Sequence, residues 1–587
     1  MFRTGRDASK KLNHSCDDSR DNTLGSSTSY PDNSGIPLSI PRKKQLVLQN
    51  QAHVCQAFVP DSSFHSMKPF TWKKIIRIYA CHVEIPYTVL EERGGVSLNQ
   101  QIGSKPNIIL ITTDTQRCDT LGCMGSPYAV SPHLDRLAAE GVLFEEAYTA
   151  SPVCSPARSS LITGLHTPVH GCIENGIKRK ESFQTLPDLL KLQGYTNMMI
   201  GKTHFGPVPE SFDIVHEVSG EKSADAASDS YAQFLQPHGV PRGSHGPQSR
   251  PEELHMEAFL IDRTIEELER FRQTGDGPFF SYCSLLSPHS PLDPPGDWAH
   301  LYRGKPLPPI DYRPGDIAAL PVQTKRLLGF LGGEAEAEAA LQSPEMQQKI
   351  DEERRLYYGL AAFTDAQIGR LLDYLDASGL RESTLVIFTS DHGEQLYDHG
   401  FSDKHNYYDA TWRVPMIMSM PGTLPMGETR DFAVWTDITA TILGAAGIHS
   451  RYVHGHDLFH PLCRGERSPR HCAVGTLYRS AAVATKRWKL EYYFEEREGR
   501  LYDRLNDPSE RTDLFGSIQY MDIKNELLEA LLSWRANLSD IEYLTEVTGG
   551  GGPVARRIAP HTLGMSGEDN ERRLSEMAQR IEEKTAL

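Results

Sequence analysis

Pro106-Asn-Ile-Ile-Leu-Ile-Thr-Thr-Asp114 decides the fold. An almost unbroken apolar and β-branched run of this length reads as a strand buried on both faces of a parallel sheet, and it stops abruptly at Asp114. Three further runs behave alike: Tyr195–Ile200 ends at Gly201-Lys202-Thr203-His204, Phe279–Leu286 at Ser287-Pro288-His289, and Thr384–Thr389 at Ser390-Asp391-His392-Gly393. Between them lie helical patterns over 131–141, 186–194, 253–274 and 352–378, the last with Leu356, Leu360, Phe363, Ile368, Leu371 and Leu372 recurring near 3.6 residues. Strands alternating with helices predict an α/β fold, a large mainly parallel sheet with helices on both faces. In open sheets of this kind ligands sit outside the carboxyl ends of the strands. That edge would collect Asp114, Lys202, His204, His289, Asp391 and His392.

A second stretch supplies chemistry. In Ser151-Pro-Val-Cys-Ser-Pro-Ala-Arg-Ser-Ser-Leu-Ile-Thr-Gly164, Cys154 stands at the start of a predicted helix. Pro156 lies in the first turn, where a missing N–H costs nothing, and Arg158 follows one turn later. A helix N-terminus favours anions and lowers the pKa of a nearby thiol, so this is a natural place to hold an anionic substrate. Two aspartates brought together at neighbouring strand ends repel, and a divalent cation is the usual remedy, with Asp114, Asp391 and His392 as its protein ligands. Taken singly each signal has a plainer reading: a buried free cysteine beside a helix cap, a turn at Asp391-His-Gly393, a cap at Asp114.

Composition bounds the partners. Sixty-one basic against 77 acidic residues give a formal charge of −16, and no basic run is interleaved with aromatics, so no nucleic-acid role is expected. The ten cysteines show neither paired zinc spacing nor the density of a disulfide scaffold. No apolar stretch reaches the roughly 20 residues of a membrane span, and no convincing signal peptide opens the chain, which makes a cytoplasmic, membrane-free protein the default expectation. Residues 1–104 read as an extension, largely disordered over its first half and uninformative thereafter. Residues 105–455 read as the catalytic α/β domain. Residues 456–545 change texture to short strands and a helix over 525–536, a smaller antiparallel sheet with one packing helix, with turns at Leu501-Tyr-Asp503 and Asn506-Asp-Pro-Ser509. Residues 546–587, opening on a glycine run, read as a linker and a charged, weakly held helix. The Pro-, Gly- and Asp-rich segments 206–251 and 290–350 read as loops or short inserted helices over the strand ends.

Cys154-x-Pro156-x-Arg158 with Leu161-x-Thr163-Gly164 resembles the sulfatase signature. So, in family order, do 106–114 with Leu121-Gly-Cys-Met-Gly125, Gly201-Lys-Thr-His204, Pro288-His289, Ser390-Asp-His-Gly393, Lys404, Arg413-Val-Pro415, and Leu501-Tyr-Asp503 with Asn506-Asp-Pro508. Together they are similar to the sulfatase branch of the alkaline-phosphatase superfamily over about 105–540. The resemblance implies an alkaline-phosphatase-like fold and a sulfuric ester hydrolase acting on a small-molecule or carbohydrate sulfate ester. It implies that Cys154 is oxidised to formylglycine by a formylglycine-generating enzyme during maturation, and that its hydrate both attacks sulfur and joins Asp114, Asp391 and His392 around the metal through oxygen. By matched position Arg158 braces the site, Lys202 and Lys404 neutralise the sulfate oxygens, and His289, with His204 as the alternative, protonates the leaving alcohol.

Two departures matter. Asp114-Thr115 lacks the second carboxylate of many sulfatases, and Asp391-His392 replaces Asp-Asn. The family implies calcium; one fewer negative charge and an imidazole ligand favour manganese or a similar ion. These changes, with Arg117, Asp119 and Asn175 as a candidate substrate contact, are similar to the choline-sulfatase and phosphonate-monoester-hydrolase group. A phosphonate monoester or phosphodiester hydrolase is therefore the first rival reading. A non-catalytic binder of sulfated glycans, with Cys154 unmodified, is the second.

Overall fold

The computed structural model describes residues 105–218, 229–450, 452–546 and 567–585. The expectations for 1–104 and for the glycine-rich linker lie outside these residues. Eight strands form the main sheet: β1 (Asn107–Asp114), β2 (Val142–Tyr148), β3 (Thr196–Gly201), β4 (Ile214–Glu217), β5 (Phe279–Pro288), β6 (Thr384–Ser390), β7 (Met416–Ser419) and β8 (Gly427–Val434). Their order is β4-β3-β5-β1-β6-β7-β2-β8. The four runs read from sequence occupy its centre, β3-β5-β1-β6, all mutually parallel. Only β7 runs against its neighbours, so the sheet is mixed but mainly parallel.

Alternation along β1 shows why the run is apolar throughout. Ile108 and Leu110 join one core with Phe280, Tyr282, Leu385 and Ile387, while Ile109 and Ile111 join the other with Phe279, Cys283, Val386 and Phe388. Helix α1 (Cys154–Thr163) covers the first face with Ala157, Leu161 and Ile162. Helices α2 (Met256–Thr274) and α3 (Pro344–Ser378) cover the second with Phe259, Leu260, Leu268, Ile368, Leu371 and Leu375. Each such side chain, fully withdrawn from water, contributes roughly 1.5–3 kcal/mol before ordering costs. Helix α4 (Trp435–Ala445) completes the first layer through Trp435, Ile438 and Ile442.

A second, antiparallel sheet is a meander of β9 (Ala473–Leu477), β10 (Ser480–Ala484), β11 (Trp488–Tyr493) and β12 (Glu498–Asp503). Leu501-Tyr-Asp503, read as a turn, is the end of β12, paired along its length with β11; the chain turns just after it, at Arg504–Asn506 and again at Pro508–Ser509. Helix α5 (Met521–Glu546) packs on this sheet through Leu527, Leu531 and Trp534.

The charged C-terminal helix differs from its expectation. α6 (Gly567–Thr585) buries Leu574, Ala578 and Ile581 beside α5, and its Glu571 is fully buried. Glu571 accepts from Arg470 Nη1 (2.6 Å), Trp534 Nε1 (2.6 Å) and the His166 ring (3.0 Å), while Arg470 also forks onto Asp437 (2.6 Å to each oxygen). A high density of charge in the sequence concealed one apolar stripe and one buried anion. Among the described residues no helix is long and apolar enough to cross a membrane.

Candidate active site

The carboxyl ends of β1, β3, β5 and β6 converge on the start of α1. Every residue of α1 is buried, and Cys154, 1 % exposed, opens it. Asp114, Cys154, Asp391 and His392 each offer a ligand atom, and these atoms lie within 4.8 Å of one another. The Cys154 Sγ is 3.2 Å from His392 Nε2, 3.3 Å from Lys404 Nζ and 3.9 Å from Asp114 Oδ1. His392 Nδ1 lies 2.8 Å from the Gly393 carbonyl; donation there leaves Nε2 with a lone pair facing the cluster.

Arg158, fully buried, ties the carboxylates together. Its Nε donates to Asp391 Oδ2 (2.8 Å), Nη2 approaches Asp114 Oδ2 (3.4 Å), and Nη1 donates to Ser284 Oγ (2.6 Å) and the Lys202 carbonyl (3.2 Å). The Lys202 ammonium contacts Asp114 directly. Two backbone N–H groups, of Thr115 (3.1 Å) and His392 (2.9 Å), complete Asp391 Oδ1, so both carboxylates are fixed before any ligand arrives.

The electrostatics follow from this crowding. Burial opposes ionisation of Asp114, yet Lys202, His289 and Arg158 hold it well below the carboxylate range. Burial likewise raises Cys154, but Lys202, Lys404, His392 and a hydrogen bond from His204 outweigh it and draw the thiol far down. Burial lowers His392, but the Asp391 carboxylate and the thiolate lift it to about 9. Against its own desolvation, Lys404 is held charged by Cys154, Asp403 and Asp114.

The remaining expected residues sit around this centre. His289 Nε2 is 3.3 Å from Lys404 Nζ, and its Nδ1 lies 2.7 Å from the Ser290 carbonyl. His204 is exposed, in the left-handed region at φ +48°. Asn175, read as a substrate contact, uses its Oδ1 to accept the Ser155 N–H (3.0 Å), relieving one of the unpaired donors at the start of α1.

Sequence reasoning missed Ser284 and Tyr282, which flank the Arg158 guanidinium from inside β5. No sequence signal separated them: Ser281 in the same run is equally a buried hydroxyl, and only the fold shows that Ser284 faces Arg158.

A buried nucleophile among carboxylates, ammonium groups and imidazoles at the edge of a mixed sheet is the layout of an enzyme that handles an anionic ester. The sulfatase family model matches residues 106–448, and a model for the C-terminal region of N-sulphoglucosamine sulphohydrolase matches 397–537. The chain belongs to the sulfatase family, and it is a sulfuric ester hydrolase. It is 28 % identical over 480 residues to an arylsulfatase of Clostridium perfringens, covering 73 % of this chain and 94 % of that one. It is 26 % identical over 503 residues to the multifunctional alkaline phosphatase superfamily protein PehA of Trinickia caryophylli, covering 74 % and 96 %. Among solved structures, the phosphonate monoester hydrolase of Agrobacterium radiobacter superposes with a TM-score of 0.64 at 23 % identity, over 74 % of this chain and 96 % of that one. Enzymes of this family are generally metal-dependent and use formylglycine. As an enzyme, the chain is not the passive glycan binder that an unmodified cysteine would have implied.

Proposed function

We propose that Cys154, converted to formylglycine, is the nucleophile with which this enzyme splits small-molecule or carbohydrate sulfate esters, His289 giving the departing alcohol its proton. The observation that carries this reading is the ring of Asp114, His392 and Lys404 within 3.9 Å of a single buried sulfur, at the N-terminus of a buried helix. The hydrated aldehyde would bear two hydroxyls on one carbon. One, having given up its proton to solvent, attacks sulfur in line with the ester oxygen, the S–O bond to the alcohol breaks, and the leaving oxygen takes a proton from His289 Nε2. Sulfate remains on residue 154. Loss of a proton from the second hydroxyl then re-forms the carbonyl and expels sulfate, a route closed to a serine or a thiol. Lys404 and Lys202 face the charge that shifts onto the sulfate oxygens. Arg158 keeps Asp114 and Asp391 in place.

Two carboxylates and an imidazole Nε2, all fully buried and converging within one coordination sphere, fit a divalent cation. Asp114, Asp391 and His392 would hold it together with residue 154. Bound there, it supplies Lewis-acid charge at the reacting oxygens. The imidazole and the single carboxylate after β1 favour manganese over the calcium expected of the family, and metal content measured by mass spectrometry tests this. The formylglycine-generating enzyme is the partner this reading requires.

The same donor set keeps hydrolysis of phosphonate monoesters as a second activity. Intact-peptide mass across Cys154 tests the main reading: conversion removes about 18 Da. A fully active preparation with an unconverted peptide would overturn it.

A further inference from the structure

The proton donor stands on a segment that the sheet does not hold. Strand β5 pairs with β3 and β1 up to Ser284, after which the register with β1 jumps, Thr112 facing Ser284 but Asp114 facing Pro288. Leu286 and Ser287 therefore fall in an irregularity with no strand partner for their N–H groups. Both are buried. A buried backbone donor must find an acceptor elsewhere. Here one carboxylate oxygen, Oε1 of Glu257, accepts from Leu286 N (3.2 Å) and from Ser287 N. Glu257 belongs to the first turn of α2, is fully buried, and lies where the helix N-terminus favours a negative group.

The link to chemistry is two bonds long. The Leu286 peptide whose N–H is held by Glu257 turns back through the Leu286 carbonyl, which accepts the N–H of His289 (3.1 Å). His289 then anchors its own Nδ1 on the Ser290 carbonyl and presents Nε2 toward Lys404. Downstream, Asp293 is gripped by Arg250 Nη2 (2.5 Å) and lies 3.4 Å from His255, the residue that caps α2. One helix start thus clasps the His289 loop at both ends. Both contacts of Oε1 fall on the two successive peptides that lead into the loop, so it fixes the direction in which the chain leaves the strand.

We propose that Glu257 is a positioning residue for the reaction, fixing His289 at the distance from which it protonates the leaving alcohol. This rests on the reading of His289 as proton donor. General-acid catalysis contributes roughly 10²–10⁴-fold and matters most where the alcohol is a poor leaving group. The test compares an alkyl sulfate with 4-nitrophenyl sulfate on metal-loaded, aldehyde-bearing full-length enzyme. Glu257→Met, similar in shape but without an acceptor, is expected to lose about 10²-fold in kcat on the alkyl sulfate and less than about 3-fold on the aryl sulfate. Glu257→Gln, which keeps a carbonyl oxygen for both N–H groups, is expected to restore the alkyl activity. Glu257→Asp, one methylene short, decides the matter if the methionine variant does not fold: a loss of about 10-fold confined to the alkyl sulfate supports the role, and equal losses on both substrates, or none, overturn it. His289→Ala is the control. If it slows both substrates alike, the proton-donor reading itself fails and Glu257 loses its function with it; if it is selective while the Glu257 variants are not, only the present inference falls.

Discussion

Cys154 is held by its neighbours as much as by its helix. Lys202, Lys404 and His392 stabilise an anion at its side chain against complete burial, and in the proposed reaction the two lysines would meet the charge that builds on a transferring sulfate. Cys154→Ala is therefore expected to abolish turnover of sulfate esters with little change in melting temperature, alanine being well tolerated in a helix. Lys202→Ala and Lys404→Ala should each lower kcat by roughly two to three orders of magnitude, a common cost of deleting one transition-state charge partner. Steady-state kinetics with unchanged rates in both would move the anion site elsewhere. Lys404, in the loop beyond β6, rested on the resemblance alone, but the places of Cys154, Lys202 and His392 were legible because each opens a helix or follows a strand. Arg158's partners were not, since Ser284 and Tyr282 lie within a strand whose own pattern says only that it is buried.

At the scale of elements, α6 is a keystone built of charge. Its Glu571 shares Arg470 with Asp437 of α4 and reaches His166, which follows α1 by three residues. Removing one member of a buried ionic network leaves the others uncompensated, so Glu571→Ala is expected to cost about 3–5 kcal/mol in chemical denaturation. Acid should act at the same place. Burial, with His166 and Arg470 adding to it, lowers His454 from 6.5 to about 3, while its Nδ1 accepts the His166 N–H (3.0 Å). Between those values the unfolded chain binds the extra proton, so the stability that neutral His454 contributes is complete above about pH 6.5 and drains away as pH falls toward 3. Melts at pH 7 and pH 5 should differ by several degrees, and His454→Asn, which cannot titrate but can still accept, should flatten that difference; an unaltered slope would place the acid-sensitive group elsewhere. Neither the keystone nor the titrating histidine was readable beforehand, because α6, rich in glutamate and arginine, carries its contacts on one narrow face. The short strands β4 and β7, four residues each, were equally silent: pairing, not periodicity, makes them strands.

Across the whole molecule the large sheet was legible for a simple reason. Four central strands buried on both faces are apolar over most of their length, and Asp114, Lys202, His289 and Asp391 gather where they end. β7 escaped because Met416-Ile-Met-Ser419 is too short to show a pattern, and β2 and β8 because Glu145-Glu146 and the polar start of β8 interrupt theirs. A cation held as proposed by Asp114, Asp391 and His392 would join the ends of β1 and β6 and so couple its binding to stability. Stripping the enzyme with a chelator is expected to lower its melting temperature and abolish hydrolysis. Titration calorimetry of the stripped protein should then give tighter binding for manganese than for calcium, and the reverse order would return the site to the family's usual ion.

The lateness of α6 in the chain has a temporal side. Every residue that Glu571 satisfies is synthesised before it, so the growing polypeptide carries Arg470 with Asp437 alone, and His166 with no carboxylate, until the last described helix emerges. During that interval Trp534 of α5 and His166 lack the buried carboxylate that later joins them. Docking of α6 ends the interval, so a polypeptide halted before residue 567 would hold this ionic cluster one carboxylate short.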